Sequence, residues 1–241
     1  MMRFTYSNQK VLDIMQHLTD SGTSIGLAVD MDMTASLTVP YVVGYHNATQ
    51  GTNYTTEQIT NPVWWESLKK RDGSIVNSDE VSQIFKHGIL ENPDNIKPLA
   101  NYWLLKEATE IFRTEFVSKM PEYLKPIFEG WVKYQYSGIG IKINVSTDKM
   151  SLPMNFYIDD SPSMITQLEK RADPLKYLYF PTWPHNYNPE INKMLSHLKN
   201  VKRVGVSMKN GKIREGSVSG VNQALRELLS VREKIKAKNR V

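Results

Sequence analysis

Four aspartates stand at the ends of two short apolar runs. Ser24-Ile25-Gly26-Leu27-Ala28-Val29 leads into Asp30-Met31-Asp32-Met33-Thr34, and Asn155-Phe156-Tyr157-Ile158 leads into Asp159-Asp160-Ser161-Pro162. Short apolar runs with β-branched residues read as buried parallel strands, and open α/β sheets bind ligands beyond the carboxyl ends of such strands. Side by side, the two strands would gather three or four carboxylates at one edge. Such a cluster repels itself unless a cation neutralises it, and an all-oxygen donor set favours Mg2+. Asp30 and Asp32 would face opposite sides of a continuing strand, so the chain must turn after Asp30 if both serve one site. A lone Asp-x-Asp is as readily an ordinary strand end with acidic loop residues; the second acid-ended strand is what favours chemistry.

Asp30-Met31-Asp32-Met33-Thr34, placed after a hydrophobic strand, resembles the first motif of the haloacid dehalogenase superfamily, and Phe156 to Asp160 resembles its fourth. Lys149 follows Ile141-Lys142-Ile143-Asn144-Val145 and precedes Asp159 by ten residues, similar to the third-motif lysine of the 5'(3')-deoxyribonucleotidase branch. Ser118, ending Thr114-Glu115-Phe116-Val117-Ser118, stands where that branch carries its second-motif Ser or Thr. Tyr54 to Thr60 resembles a cap segment of bacterial nucleotidases, and Tyr177 to Asn186 resembles the strand and loop after the fourth motif. The likeness spans residues 22 to 190. One position departs from it: Met33 stands where the branch usually has Gly.

The resemblance implies an α/β fold, a Rossmann-like parallel sheet flanked by helices. Residues 1–35 and 96–190 would form the core, 36–95 a small helical cap inserted after the first strand, and 191–241 a basic C-terminal extension of hairpin plus helix. It implies a Mg2+-dependent phosphatase, a 5'- or 3'-(deoxy)nucleotidase. Asp30 would be the nucleophile, Asp32 the acid and base, Lys149 the neutraliser and Ser118 a phosphoryl ligand. The metal would lie on Asp30, the Asp32 carbonyl, and Asp159, Asp160 or both. In the cap, Trp64 and Trp65 either stack on a nucleobase, worth about 1 to 3 kcal/mol, or fill a small core. Lys69-Lys70-Arg71 either meets a phosphate or is a solvated face.

The elements that must position these groups follow from pattern. Val11, Ile14, Met15 and Leu18 have helical spacing over residues 7 to 19. Pro98 is expected to open a helix through Leu99, Trp103, Leu104, Ala108 and Ile111, and Pro121 another through Tyr123, Leu124, Ile127, Phe128, Trp131 and Val132. Strands are expected at 139–145, 155–159 and 177–180. Asn210-Gly211 between Val201–Lys209 and Lys212–Val218 is a strong hairpin signal, and a closing helix carries Val218, Val221, Leu225, Leu228 and Arg232. Hairpin and helix would extend the sheet or pair with another subunit.

The 241 residues suit one α/β domain with an insertion. The absence of cysteine excludes disulfides, thiolate metal sites and thiol nucleophiles. The five histidines have no zinc-ligand spacing, and no Gly-rich phosphate loop is present. No apolar run approaches membrane length and the first residues lack a signal core, so a cytoplasmic protein is expected. The net charge of +5 is uneven: from Lys199 onward twelve basic residues face three glutamates, a net of +9, leaving −4 for the rest. That tail raises two other readings, a phosphatase acting on nucleic-acid ends and a non-catalytic protein that binds a nucleotide or partner. An Asp-x-Asp glycosyltransferase would leave Lys149 and Asp159-Asp160 unexplained.

Overall fold

A computed structural model describes residues 6–239 except 60, 62, 184, 185, 206, 207, 210, 211 and 214–219. The chain opens on helix α1 (Tyr6–Asp20), with Val11, Ile14, Met15 and Leu18 buried, and enters strand β1 (Gly26–Asp30). An insertion follows: β2 (Ser36–Leu37), α2 (Thr38–Gln50), 3-10 turns at Thr56–Gln58 and Trp64–Ser67, α3 (Ser78–Glu91) and β3 (Lys97–Pro98). Ser36 pairs with Pro98 and Leu37 with Lys97, so the insertion leaves and returns through one antiparallel ladder. The core resumes with α4 (Tyr102–Ile111), β4 (Arg113–Ser118), α5 (Lys125–Gln135), β5 (Lys142–Val145), β6 (Phe156–Ile158), α6 (Pro162–Arg171) and β7 (Tyr177–Pro181). The chain then forms α7 (Pro189–Ser196), β8 (Val201–Val204), β9 (Met208–Lys209), β10 (Lys212–Ile213) and α8 (Gly220–Lys238).

The main sheet has the order β5-β4-β1-β6-β7-β8, with every pairing parallel. Taken by appearance in that sheet, the chain winds outward from β1 through β4 and β5, then reverses to β6, β7 and β8. This is the doubly wound arrangement, and its switch point lies between β1 and β6. Leu27, Val29, Phe116, Phe156, Ile158, Tyr177 and Tyr179 bury one face in a core that includes residues of α1, α4 and α8. Ala28, Val117, Tyr157, Leu178 and Phe180 bury the other against Met164, Ile165 and Leu168 of α6 and Ile191 of α7. The period of two along β1 thus assigns Ala28 to the α6 face, the parity that Asp30 shares.

Between β5 and β6 the chain crosses without an α-helix. Asn155 N–H bonds to the Gly26 carbonyl at 3.0 Å, and a Cβ on Gly26 would lie 2.9 Å from the Met154 Cα and 2.7 Å from its sulfur. Only glycine lets the crossing segment come this close to β1.

Several expectations change in detail. Lys97-Pro98 is strand, not helix; α4 begins at Tyr102, where the Asn101 side chain accepts from the N–H groups of Trp103 and Leu104. Trp103, expected on the apolar face of that helix, is 69% exposed. Pro121 precedes a 3-10 turn at Glu122–Leu124, and Pro126 takes the first turn of α5, where its missing N–H is no loss. The run 201–209 is not one hairpin arm: Val201–Val204 becomes the sixth sheet strand beside β7, and only Met208–Lys209 pairs with Lys212–Ile213. The Asn210-Gly211 turn itself lies outside the described residues. α8 packs on α1, α4 and β7, with Val221, Ala224, Leu225, Leu228, Leu229, Val231 and Ile235 buried. No described helix is long and apolar enough to cross a membrane.

Candidate active site

β1 delivers Asp30 to its carboxyl end, and β6, its parallel neighbour, delivers Asp159 and Asp160 just past its own. Asp30, Asp159 and Asp160 are all buried, and one carboxylate oxygen from each lies within 4.8 Å of the others. They converge at the switch point, where the helix connections diverge to opposite faces and open a crevice.

One buried cation sits among them. Lys149, in a 3-10 turn at Lys149–Ser151 on the crossing segment, donates through Nζ to Asp30 Oδ1 and, at 2.7 Å, to Asp159 Oδ2. Burial works against the charge on Lys149, yet the Asp159 and Asp30 carboxylates hold its pKa above the ordinary lysine range. Asp160 is reached from the other side by the Thr34 hydroxyl, which donates to its Oδ1 at 3.1 Å. Ser161 N–H donates to Asp159 Oδ1 at 2.8 Å, and Asp159 N–H to the Tyr179 carbonyl at 3.1 Å, so the second acid pair is held at its backbone too.

The turn after β1 bends the chain as two acids in one site require. Ala35 N–H donates to the Asp30 carbonyl at 3.0 Å, and the Ser36 N–H and hydroxyl both donate to the Met31 carbonyl. Met33 sits at the tip with φ +53°, the left-handed region that glycine occupies without strain. This is the position at which the sequence departs from the pattern it resembles, and its backbone lies in a region that glycine adopts freely.

Asp32 lies half-buried beside the cluster, its Oδ1 without a hydrogen-bond partner. Burial and the neighbouring Asp160 carboxylate raise its pKa to about 7, while Lys149, the Trp64 indole N–H and the Met33 backbone N–H favour the anion. Burial also raises Asp30 well above the usual carboxylate range, with Asp159 and Asp160 adding to it and Lys149 opposing. Asp159 is raised by burial as well, again against Lys149. Three carboxyls pushed upward around a single ammonium describe a site short of positive charge. The three buried carboxylates of Asp30, Asp159 and Asp160, an all-oxygen donor set, suit a hard divalent cation such as Mg2+.

Ser118 ends β4 at the same edge; its preceding residue, Val117, is the register partner of Asp30. Ser118 is buried, and its carbonyl accepts from Ser146 N–H at 3.0 Å. In the insertion after β1, Trp64 is buried in the main core with its ring edge-on to half-buried Trp65, centroids 5.5 Å apart. Its indole is nonetheless among the groups acting on Asp32. Lys70 pairs with Glu80 at 2.8 Å within the insertion.

Contacts made by four residues were not anticipated from the sequence. Thr34 serves Asp160 rather than only ending a motif. Gln167 of α6 accepts from Met150 N–H at 3.2 Å and donates to the Thr147 carbonyl at 3.4 Å, bracing the Lys149 turn, and Arg171 pairs with Asp148 beside it. Asn186, wholly buried, donates to the Asp160 carbonyl. Only its place in the loop after β7 hinted at a role, since a single buried amide has no periodic signal.

The chain matches no family model, and no curated protein matches it. Among solved structures it is similar to a haloacid dehalogenase-like family hydrolase from Xanthomonas campestris, at 10% identity and a TM-score of 0.38, over 87% of this chain and 99% of that one.

Proposed function

We propose that this chain is a Mg2+-dependent phosphomonoester hydrolase that works through an aspartyl-phosphate, with a 5'- or 3'-(deoxy)nucleotide as substrate. The observation that carries the proposal is the convergence of Asp30, Asp159 and Asp160 around Lys149 at the switch point of a parallel sheet, in the order of the motifs that the sequence resembles.

A phosphate monoester is an inert anion, so its hydrolysis needs charge neutralised, a nucleophile in line and a proton for the leaving oxygen. Asp30 attacks phosphorus, the bond from phosphorus to the ester oxygen breaks, and Asp32 gives its proton to the departing alkoxide. Asp32 then takes a proton from water, whose oxygen attacks phosphorus, and the bond to Asp30 breaks to release phosphate. A pKa of about 7 lets Asp32 serve in both directions near neutrality. Lys149 orients Asp30 and offsets charge; Ser118 supplies a hydroxyl to the phosphoryl group. Bound by Asp30, Asp159 and Asp160, Mg2+ would supply the remaining positive charge. Trp65, half-buried beside Trp64, is the proposed contact for the nucleoside; Trp64 itself is buried in the core and acts on Asp32 through its indole N–H.

The test is phosphate release from nucleoside 5'- and 3'-monophosphates, sugar phosphates and phosphorylated oligonucleotides, with and without Mg2+, beside Asp30→Asn. Metal-dependent release that Asp30→Asn abolishes supports the proposal, and a preference for mononucleotides supports the substrate. Absence of release from every monoester refutes it.

A further inference from the structure

Asp160 is held at its carboxylate by Thr34, but the direction of its side chain depends on the peptide that carries it. That peptide is fixed by Asn186. The Asn186 amide donates through Nδ2 to the Asp160 carbonyl at 3.1 Å and to the Pro181 carbonyl at 2.9 Å, while its Oδ1 accepts from Trp183 N–H at 2.9 Å. Two carbonyls on one end and an N–H on the other leave the amide a single orientation. The side chain is 0% exposed, so these bonds have no competition from water.

Asn186 is in turn braced from the sheet edge. Arg203 of β8 donates through Nη2 to the Asn186 carbonyl at 3.1 Å and to Asn192 Oδ1 at 2.9 Å, and through Nη1, at a longer 3.4 Å, to Asn186 Oδ1 and Thr182 Oγ1. The guanidinium carbon lies 5.3 Å from the Phe180 ring centroid and 5.1 Å from that of Tyr187. These acceptors are all neutral. A guanidinium close to two rings, its N–H groups spread over the loop after β7 and Asn192 of α7, is a rigid fork that a flexible ammonium does not reproduce.

We infer that Asn186, braced by Arg203, is the positioning residue for Asp160, tying the metal-binding carboxylate to the edge of the sheet. The inference rests on the reading of Asp160 as a metal ligand. It gives the strand β8 a task at the site, reaching across β7 to the switch point.

The experiment compares wild type with Arg203→Met, Arg203→Lys and Asn186→Ser. Asn186→Ser strands buried carbonyls and is the variant at risk of unfolding; Arg203→Met keeps an apolar stem beside the rings and keeps the test open. The first readout is amide hydrogen exchange across residues 158–163, which needs neither metal nor turnover. Arg203→Met and Arg203→Lys should both speed exchange there about tenfold while β1 and β4 keep their protection. The second is the Mg2+ concentration giving half-maximal phosphate release, which should rise about tenfold with substrate KM unchanged; a merely stabilising role would lower the melting temperature without moving it. Unchanged exchange at 158–163, uniform loosening of the whole sheet, or local loosening with an unmoved Mg2+ requirement overturns the inference. A wild type that releases no phosphate refutes the proposed function, and the exchange result then decides whether Asn186 and Arg203 hold the Asp160 peptide.

Discussion

Replacing Met33 with glycine sets two opposed effects against each other at the turn after β1. Met33 has φ +53°, and a side chain in the left-handed region costs about 1 to 2 kcal/mol. Glycine removes that cost. The Met33 side chain, however, is 3% exposed, and its sulfur accepts from the Val39 N–H at 3.3 Å, in the first turn of α2, whose N-cap residue Leu37 makes no side-chain cap bond. Truncating a buried methionine costs about 2 to 5 kcal/mol. Packing therefore outweighs strain, and Met33→Gly should lose about 2 kcal/mol, or about 4 to 8 °C in melting temperature for a chain of this size. Urea unfolding of the two proteins in one buffer measures it, with Met33→Leu as the control that keeps volume and loses the sulfur acceptor at a cost of about 1 kcal/mol. A glycine variant as stable as wild type, or more stable, would refute the ranking of the two effects. It would mean that this turn keeps methionine at a net cost in stability.

Lys149→Met leaves the Asp30 and Asp159 carboxylates without their shared cation, and removing one partner of a buried pair costs about 3 to 5 kcal/mol. Urea unfolding should find that loss at pH 8 and a smaller one at pH 5, where the orphaned acids take up protons; an equal loss at both would contradict the charge assignment. In metal-free wild type, Asp32 titrates near 7 when folded and near the ordinary aspartate value of 3.8 when unfolded, so between those values the folded state binds the extra proton. Its contribution to stability must then fall as pH rises through that window. Subtracting the Asp32→Asn unfolding curve from that of wild type across pH 4 to 8 should show the fall, and a rising difference would reverse the sign. Gly26→Ala would drive a Cβ to 2.9 Å from the Met154 Cα and 3.0 Å from the Pro153 carbonyl, backbone atoms that cannot rotate away. It should cost about 1 to 3 kcal/mol by thermal melt, and a neutral result would show that the crossing segment yields.

Much of the site was legible because its members end apolar strands. Asp30, Asp159 and Asp160 could be placed at one edge from two hydrophobic runs alone, since a buried parallel strand has few ways to end in acid. Lys149 could not be placed by pattern: it lies on an irregular crossing segment, and its position came from resemblance. Ser118 was legible as a strand end, and the structure puts it at the same edge beside the register partner of Asp30. Trp64 and Trp65 were legible as aromatic but not as buried or half-buried, because burial in an irregular insertion has no period. The run from 201 to 209 misled because a β-branched basic stretch before Asn-Gly fits a hairpin arm and an edge strand equally well. Only the open flank of β7 decides between them.

What the sequence by itself determined is the strands β1, β4, β5, β6 and β7 and the acids that end β1 and β6, because alternation, apolar run length and turn residues are local properties of the chain. The tertiary structure alone decided the order in which those strands lie, and with it the switch point between β1 and β6. It also decided the left-handed backbone at Met33, the burial that lifts three carboxyls, and the amide of Asn186 that reaches Asp160 from 26 residues away. Those features arise from groups distant in sequence meeting at fixed distances where water is excluded, and no local pattern encodes such a meeting.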